Sequence, residues 1–212
     1  MNTKEPFVIT ISREIGSGGH TVGKILADKL QVKYCDKQLL DALRERFNLS
    51  GYSVEKLKGE KNNWLTSFIK AMSNSRIEGP MIDPRYNPDF RRDITSDDIF
   101  AAEVEILRKL ASEGSCVIAG RSGFHVFKDH PNRLNVFITA SMPCRIERVM
   151  KKQGLTEETA SILIKDIDEK RENYIKRYTG TTRYDVHNYD LVLSADGHTE
   201  EQLADIILDY IG

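Results

Sequence analysis

The segment ISREIGSGGHTVGKILADKL, residues 11–30, runs from an apolar strand through a glycine-rich turn into an amphipathic helix. Three glycines in four positions let the backbone approach a ligand closely. Successive backbone N–H groups and the positive end of a helix dipole attract phosphate. We therefore predict a phosphate-binding loop, whose candidate contact residues are Gly16, Ser17, Gly18, Gly19, His20 and Thr21.

The loop can be aligned with a phosphate-loop pattern in two registers. The pattern GxxxxGK[ST] fits residues 18–24, but an isoleucine follows where a hydroxyl is needed, and little helix remains before the next strand. The other register begins the helix near His20 and accounts for the apolar stripe that follows. We favour this second register, which puts Gly19 in the position of the usual lysine and Thr21 within reach of a magnesium ion.

A phosphate loop without its lysine needs positive charge from another part of the chain. The candidates are Arg13 on the preceding strand, His20 at the helix tip, Lys24 one turn further, or arginines brought down by a mobile lid. A tight turn without a ligand is the alternative interpretation. A dinucleotide site fits less well, because Thr21 stands at the third glycine position of the GxGxxG pattern.

Short apolar segments alternate with helical patterns over most of the chain. Nearly continuous apolar character suits the strands of a parallel sheet that is covered on both faces. Strands are predicted over residues 7–12, 32–35, 116–119, 134–139 and 190–194. Helices are predicted over residues 21–30, 96–113 and 199–211, and from residue 143 onward. The alternation predicts a three-layer α/β fold.

Two regions interrupt this alternation. Residues 37–95 lie between the second and third strands, which is far too long for a simple crossover. Residues 152–189 contain a highly charged helical stretch and then the turn-rich YTGTTRYDVHN. Asp36 opens the first region as either a helix cap or a ligand contact. We predict one domain, residues 1–212, with both regions as inserts on a single core.

Basic residues recur where the predicted fold would form a ligand crevice. Arg121 follows the third strand, at the sheet edge where open α/β sheets bind ligands. Arg145 and Arg148 are three residues apart and therefore share one helix face. Arg171 and Arg177 belong to the charged second insert, where arginines would neutralise charge on a moving phosphate. Exposed pairing with nearby acids is the alternative interpretation of these side chains.

Composition narrows the class of partner. The 31 basic and 32 acidic residues nearly balance, which gives no indication of a nucleic-acid surface or a polybasic membrane anchor. No stretch approaches the ~20 apolar residues that span a bilayer, and we expect a cytoplasmic location. Cys35, Cys116 and Cys144 have no CxxC spacing, and their context favours packing in the core over a metal or disulfide role.

Taken together, these segments resemble the cytidylate kinase-like family of nucleoside monophosphate kinases, which has the P-loop fold. ISREIGSGG is similar to that family's altered phosphate loop, YCDKQLL to its strand-two acid, and DEKRENYIKRYTG to its lid. AGRSGFHVFKDHPNRLNVFITASMPCRIERV resembles a run that begins Gly-Arg-Asp and ends in an arginine-bearing helix. NYDLVLSAD is similar to the closing strand, so the resemblance covers almost the whole chain.

The resemblance implies a five-stranded parallel sheet in the order 2-3-1-4-5. It implies a core of residues 1–36, 96–151 and 183–212, an acceptor-binding insert over residues 37–95 and a lid over residues 152–182. The implied reaction is transfer of the γ-phosphate of ATP to a nucleoside monophosphate, with Mg²⁺ at Thr21. On this hypothesis ATP also contacts Arg145 and Arg148. The acceptor contacts would be Asp36, Arg121 and Ser122, and the catalytic residues Arg13, Arg171 and Arg177.

Two positions depart from the family pattern and keep other functions open. Gly19 replaces the lysine, and Ser122 stands at the aspartate of Gly-Arg-Asp, which puts cytosine as the acceptor base in doubt. One alternative is a nucleotide-binding sensor or adaptor that has kept the fold and lost the chemistry. Another is a kinase for a different small acceptor, such as a sugar or a shikimate-like alcohol, with Asp36 as its base.

Overall fold

The computed structural model describes residues 1–35, 96–120 and 122–212. They form a five-stranded sheet of parallel strands in the order β2-β3-β1-β4-β5, which confirms the predicted fold class and strand order. The strands are β1 Val8–Arg13, β2 Lys33–Tyr34, β3 Cys116–Ala119, β4 Arg133–Thr139 and β5 Leu191–Ser194. The predicted acceptor-binding insert and the site residues Asp36 and Arg121 lie outside the described residues.

Helices cover both faces of the sheet. They are α1 Gly19–Leu30, α2 Ser96–Ser112, α3 Gly123–Val126, α4 Met142–Gln153, α5 Glu157–Thr179 and α6 Glu200–Ile211, with a 3₁₀ turn at Val186–Asn188. The charged stretch of the predicted lid forms the 23-residue helix α5. Thr156 caps its start by accepting a hydrogen bond from the Thr159 N–H, and Gly180 ends it in the left-handed conformation.

Alternate residues of β1 face opposite sides of the sheet, as the period of a strand requires. Ile9 and Ile11 are fully buried against α1 and α6. Val8 belongs to the second core, between the sheet and the helices α2 and α3. A third, smaller cluster of Val149, Ala160 and Ile164 joins α4 to α5. The sheet is therefore covered on both faces, as its apolar strands predict.

The parallel register brings the carboxyl ends of three strands to one edge. Ile11 of β1 pairs with Ala119 of β3, and Arg13 pairs with Ile138 of β4. The loops that follow β1, β3 and β4 consequently leave the sheet side by side. This edge is where open parallel sheets bind ligands, and the glycine-rich loop lies there.

Cys35 and Cys116 are buried free thiols in the second core, in accordance with the packing role expected from the sequence. Cys144 is also a free thiol, but it is only partly buried. Within residues 1–35, 96–120 and 122–212, no helix has the length and apolar character needed to cross a membrane.

Candidate active site

The loop after β1 adopts the second of the two registers. β1 ends at Arg13, and α1 begins at Gly19 with Gly18 as its N-cap. Gly16 and Gly18 have φ angles of 82° and 81°, which glycine adopts without strain. A methyl group on Gly16 would lie 2.7 Å from the Arg145 carbonyl oxygen, so this position also has no room for a side chain.

A cleft of about 520 Å³ opens beside the loop and the first turn of α1. We call it the glycine-loop cleft. Two carboxylates line it, those of Glu14 and Glu200. The basic side chains among the described lining residues are more numerous: Arg13, Arg148, Lys151, Lys152 and Arg171. The first N–H groups of a helix have no acceptor within the helix and carry its positive dipole end. The cleft is therefore suited to a polyanion.

The predicted contact residues of the loop divide into two groups. His20 and Thr21 are exposed and line the glycine-loop cleft, together with Gly16, Gly18 and Gly19. Ser17 is fully buried, and its hydroxyl donates to the Glu14 carbonyl oxygen at 2.9 Å. In this geometry Ser17 shapes the turn from inside the protein, and its side chain does not face the cleft.

Arg13 occupies the space that a side chain at position 19 would need. A methyl group on Gly19 would lie 2.7 Å from Arg13 Cβ and 3.1 Å from its Cδ. At the other end of the same side chain, a methyl group on Gly120 would lie 2.6 Å from Arg13 Nη1. The Arg13 side chain therefore has room only because positions 19 and 120 are glycines. Its guanidinium extends from the end of β1 to the start of the loop after β3.

The two arginines of α4 hold the glycine loop by its carbonyl groups. Arg145 Nε donates to the Ile15 carbonyl at 2.8 Å, and Arg148 Nη1 donates to the Ser17 carbonyl at 3.0 Å. The N–H groups of the same two residues are also held within the protein, since that of Ile15 donates to the Asp168 carboxylate and that of Ser17 to the Glu14 carbonyl. The i, i+3 spacing recognised in the sequence therefore places both residues against the loop, at two points along it.

Arg145 and Arg148 differ in their access to the cleft. Arg148 lines it, is 25% exposed, and also donates to the His198 carbonyl at 3.2 Å. Arg145 is 6% exposed, and its guanidinium contacts the carboxylates of Glu14, at 3.2 Å, and Asp168. The structure thus brings Arg148 to the predicted nucleotide cleft, whereas it surrounds Arg145 with protein partners.

Glu14, Arg145, Asp168 and Arg183 form one buried group of charges, which we call the loop-anchor network. Asp168 Oδ1 accepts a hydrogen bond from the Ile15 N–H at 3.3 Å and lies 3.6 Å from Arg183 Nη1. Arg183 also donates from Nη2 to the Arg13 carbonyl. The four side chains are between 2% and 11% exposed. The network connects the glycine loop to α4, to α5 and to the segment that precedes β5.

Sequence reasoning did not select Glu14, Asp168 or Arg183 as site residues. Asp168 belongs to a stretch of α5 so rich in charge that surface pairing looked sufficient. Its position held a signal, because Ala160, Ile164 and Asp168 recur every fourth residue and are the buried residues of α5. A carboxylate that continues an apolar stripe is predicted to be buried and paired.

A second, smaller space of about 100 Å³ adjoins the ends of β1 and β3. We call it the inner pocket. It is lined by Ser12, Arg13, Gly120, Ser122, Arg171 and Arg183, with Glu103 and Tyr174 on its α2–α5 side. Arg13 and Arg171 line both the inner pocket and the glycine-loop cleft, so the two spaces are neighbours.

Arg171 and Arg177, both predicted from the charged insert, end up in different places. Arg171 lines both the glycine-loop cleft and the inner pocket. Arg177 is 60% exposed, and its Nη2 lies 2.9 Å from the Asp97 carboxylate, at the first turn of α2. Arg177 is not one of the described residues that line the glycine-loop cleft or the inner pocket.

The segment that carries Arg183 is fixed by two ionisable neighbours. Burial opposes ionisation of Glu172, but hydrogen bonds from Thr182, the Arg183 N–H and Lys176 outweigh it and lower the pKa of Glu172. Burial raises the pKa of Tyr189 to about 12, and its hydroxyl donates to the Arg183 carbonyl at 2.7 Å. An ionised acceptor and a neutral donor thus hold the Arg183 backbone from both sides.

A parallel sheet of this order, with a glycine loop leading into the helix after β1, defines the class of P-loop kinases. An uncharacterized protein from Eubacterium ventriosum has a crystal structure that matches with a TM-score of 0.67 at 25% identity, over 97% of this chain and 98% of that one. Shikimate kinase from Bacteroides thetaiotaomicron matches with a TM-score of 0.54 at 17% identity, over the same shares, and shares the fold.

Sequence comparison narrows the class to a family. The model of the cytidylate kinase-like family matches residues 8–196, and the chain belongs to that family. The cytidylate kinase of Sulfolobus acidocaldarius is 27% identical over 208 residues, which cover 96% of this chain and 93% of the relative. The cytidylate kinase of Pyrococcus horikoshii is 25% identical over 205 residues, which cover 96% and 88%.

Removing the charge of Asp168 tests the loop-anchor network. Asp168→Asn leaves two buried guanidinium groups without a full counter-charge, and we expect it to lower the free energy of unfolding by about 3–5 kcal/mol in urea titrations. The matched control is Asp166→Asn on the same helix, whose partly exposed pair with Lys170 contributes at most about 1 kcal/mol. Equal effects of the two substitutions would show that the network does not anchor the loop.

Proposed function

We propose that this protein transfers the γ-phosphate of ATP, bound with Mg²⁺, to a nucleoside monophosphate. The observation that carries the proposal is the adjacency of the glycine-loop cleft and the inner pocket, which share Arg13 and Arg171. Phosphoryl transfer between two nucleotides needs two anion sites that meet at one point. The relatives named cytidylate kinase support a monophosphate acceptor, and CMP is the first candidate.

On the donor side, the phosphates of ATP would lie against the N–H groups of the glycine loop and the first turn of α1. Arg148 and Arg13 supply the positive charge that a lysine at position 19 would otherwise provide. Arg145 supports this site indirectly, since it holds the Ile15 carbonyl and stays inside the loop-anchor network. We assign Arg145 a positioning role in place of a nucleotide contact.

Mg²⁺ would neutralise charge on the phosphate oxygens of ATP. Thr21 fits it, because the residue is exposed in the glycine-loop cleft two residues after the start of α1 and carries a hydroxyl. Mg²⁺ prefers oxygen ligands and commonly takes most of them from phosphates and water. One hydroxyl from the chain is therefore a sufficient protein contribution.

The transfer itself needs positioning and charge stabilisation more than acid–base chemistry. A phosphate oxygen of the acceptor is already a competent nucleophile, so the chain need not supply a general base. Arg171 and Arg13 lie where the two spaces meet and would stabilise negative charge on the phosphoryl group as it moves. Asp36 and Arg121 stay proposed acceptor contacts from the sequence.

A phosphorylation screen tests the proposal. CMP, dCMP, UMP, AMP and GMP are each supplied with ATP·Mg²⁺, and ADP release is followed. We expect at least one monophosphate to raise ADP release well above the rate with ATP alone. ATP binding by calorimetry without stimulation by any monophosphate would contradict the proposal and favour a sensor. Stimulation by a sugar or a shikimate-like alcohol alone would identify another acceptor class.

Variants at positions 13 and 19 test whether Arg13 supplies the charge that a lysine at position 19 would provide. Arg13→Gly removes the charge, and we expect kcat/KM to fall roughly 100-fold. Gly19→Lys alone introduces a Cβ that collides with Arg13 Cβ, and it should also be impaired. The double variant R13G/G19K makes room for the lysine and restores a cation, so it should exceed the poorer single variant by at least about tenfold.

Circular dichroism and thermal unfolding of all three proteins establish that they are folded before rates are compared. A double variant no better than the poorer single variant would show that Arg13 does not act in place of the lysine.

Arg171 and Arg177 provide a comparison within one helix. Arg171→Ala removes a guanidinium that lines both ligand spaces, and we expect kcat to fall roughly 100-fold. Arg177→Ala removes an exposed pair with Asp97 and should cost far less, within about threefold. Lys165→Ala, at an exposed position of the same helix, is the surface control. Similar losses of kcat in R171A and R177A would show that Arg177 also takes part in catalysis, as the sequence predicted.

A further inference from the structure

Two buried side chains in the inner pocket carry polar atoms without hydrogen-bond partners among the described residues. Arg183 is 2% exposed and Ser122 is 4% exposed. Within the described part of the chain, Arg183 Nε, Arg183 Nη1 and Ser122 Oγ have no hydrogen-bond acceptor or donor. Both residues line the same pocket. Buried polar groups are rarely left unpaired in proteins, because each lost hydrogen bond carries its desolvation cost.

The guanidinium of Arg183 is held in position. Its Nη2 donates to the Arg13 carbonyl, and its Nη1 lies 3.6 Å from the Asp168 carboxylate, beyond hydrogen-bond distance. Its Cζ also lies 5.9 Å from the centroid of the Phe137 ring and 5.3 Å from that of Tyr184. These contacts fix the plane of the group, so its remaining N–H donors are already directed before any ligand arrives.

Ser122 is also held in an unusual way. Its φ angle is 54°, in the left-handed region that residues other than glycine seldom adopt. Its hydroxyl makes no capping hydrogen bond to the short helix that follows. Strained backbone is maintained where the surrounding structure determines it, often at a functional site. The strain and the unpaired hydroxyl at one residue both indicate a ligand in the pocket.

We propose that Arg183 and Ser122 bind the phosphate group of the acceptor nucleotide. This inference rests on the proposed function and names the part of the acceptor that the inner pocket holds. A phosphate monoester offers several oxygens, which match the two N–H directions of Arg183 and the hydroxyl of Ser122. Arg13 and Arg171 line both the inner pocket and the glycine-loop cleft, so they would add positive charge between the acceptor and the donor.

The size and the remaining charge of the pocket agree with one phosphate group. A volume of about 100 Å³ exceeds the roughly 10–15 Å³ that a single water needs. Glu103 is the carboxylate on the pocket wall, and its Oε2 accepts a hydrogen bond from the Tyr174 hydroxyl at 2.7 Å. Repulsion from Glu103 would favour a position of the dianion against the guanidinium of Arg183 and the hydroxyl of Ser122, which line the same pocket.

The test measures affinity for inorganic phosphate and for CMP by calorimetry, with and without saturating ADP in the glycine-loop cleft. The variants are Arg183→Lys, which keeps a charge and removes the guanidinium fork, and Ser122→Gly, which removes the hydroxyl and suits a φ of 54°. Each should weaken phosphate and CMP binding roughly tenfold in the ADP-loaded protein. Ser122 lies outside the loop-anchor network, so Ser122→Gly should leave ADP affinity unchanged.

Arg133→Lys is the matched control. Arg133 also has a buried Nε without a hydrogen-bond partner among the described residues, but it begins β4 at the opposite end of the strand from the pocket. Its phosphate affinity should equal that of the wild type. If Arg183→Lys does not fold, Ser122→Gly decides the question, because its backbone conformation is compatible with glycine.

The outcomes separate this inference from the proposed function. Monophosphate phosphorylation with an unchanged acceptor KM in both variants would overturn the inference and leave the kinase function intact. Loss of phosphate binding in both variants, with no monophosphate phosphorylated by the wild type, would support the pocket and overturn the function. Equal phosphate affinity in wild type, both variants and the control would overturn the inference.

Discussion

The buried charges around Asp168 are the constraint on which the rest of the site depends. This carboxylate contacts the N–H of Ile15 in the glycine loop, the guanidinium of Arg145 on α4 and that of Arg183 before β5. A buried charge is tolerated only when it is paired and hydrogen-bonded, so each partner restricts the others. Arg171 lies three residues after Asp168 on the same helix, and its position relative to the loop follows from that anchor.

In the glycine loop, the arginine at position 13 and the glycine at position 19 depend on each other. A lysine on a helix supplies a flexible point charge, whereas an arginine supplies a planar fork with directed donors. Arg13 reaches the loop from the end of a strand, and its side chain passes directly over position 19. Glycine at position 19 is therefore what the arginine requires, and the absence of the lysine is no sign by itself that phosphate binding has been lost. Gly120 likewise leaves room for the guanidinium at the other end of the Arg13 side chain.

Local patterns predicted the frame of the molecule well. The apolar strands, the stripe of α1 and the register that begins this helix near residue 20 depend on neighbours in sequence, and α1 does begin at Gly19. The site depended on distant contacts. Arg145 meets Ile15 across 130 positions, and Ile15 meets Asp168 across 153, and no spacing rule reports such pairs. Asp36 and Arg121, outside the described residues, stay predictions.

The two ligand spaces differ in how they would neutralise an anion. The glycine-loop cleft offers the N–H groups of a helix start and partly exposed basic side chains, which tolerate a polyphosphate of variable position. The inner pocket offers a buried guanidinium held by a carbonyl and two aromatic rings. A rigid site of this kind fixes one group accurately, and accurate placement of the accepting oxygen is what in-line transfer demands. On the proposed function, ATP in the more open cleft would be brought to an acceptor phosphate held rigidly in the inner pocket, and Arg13 would stabilise charge between them because it lines both spaces.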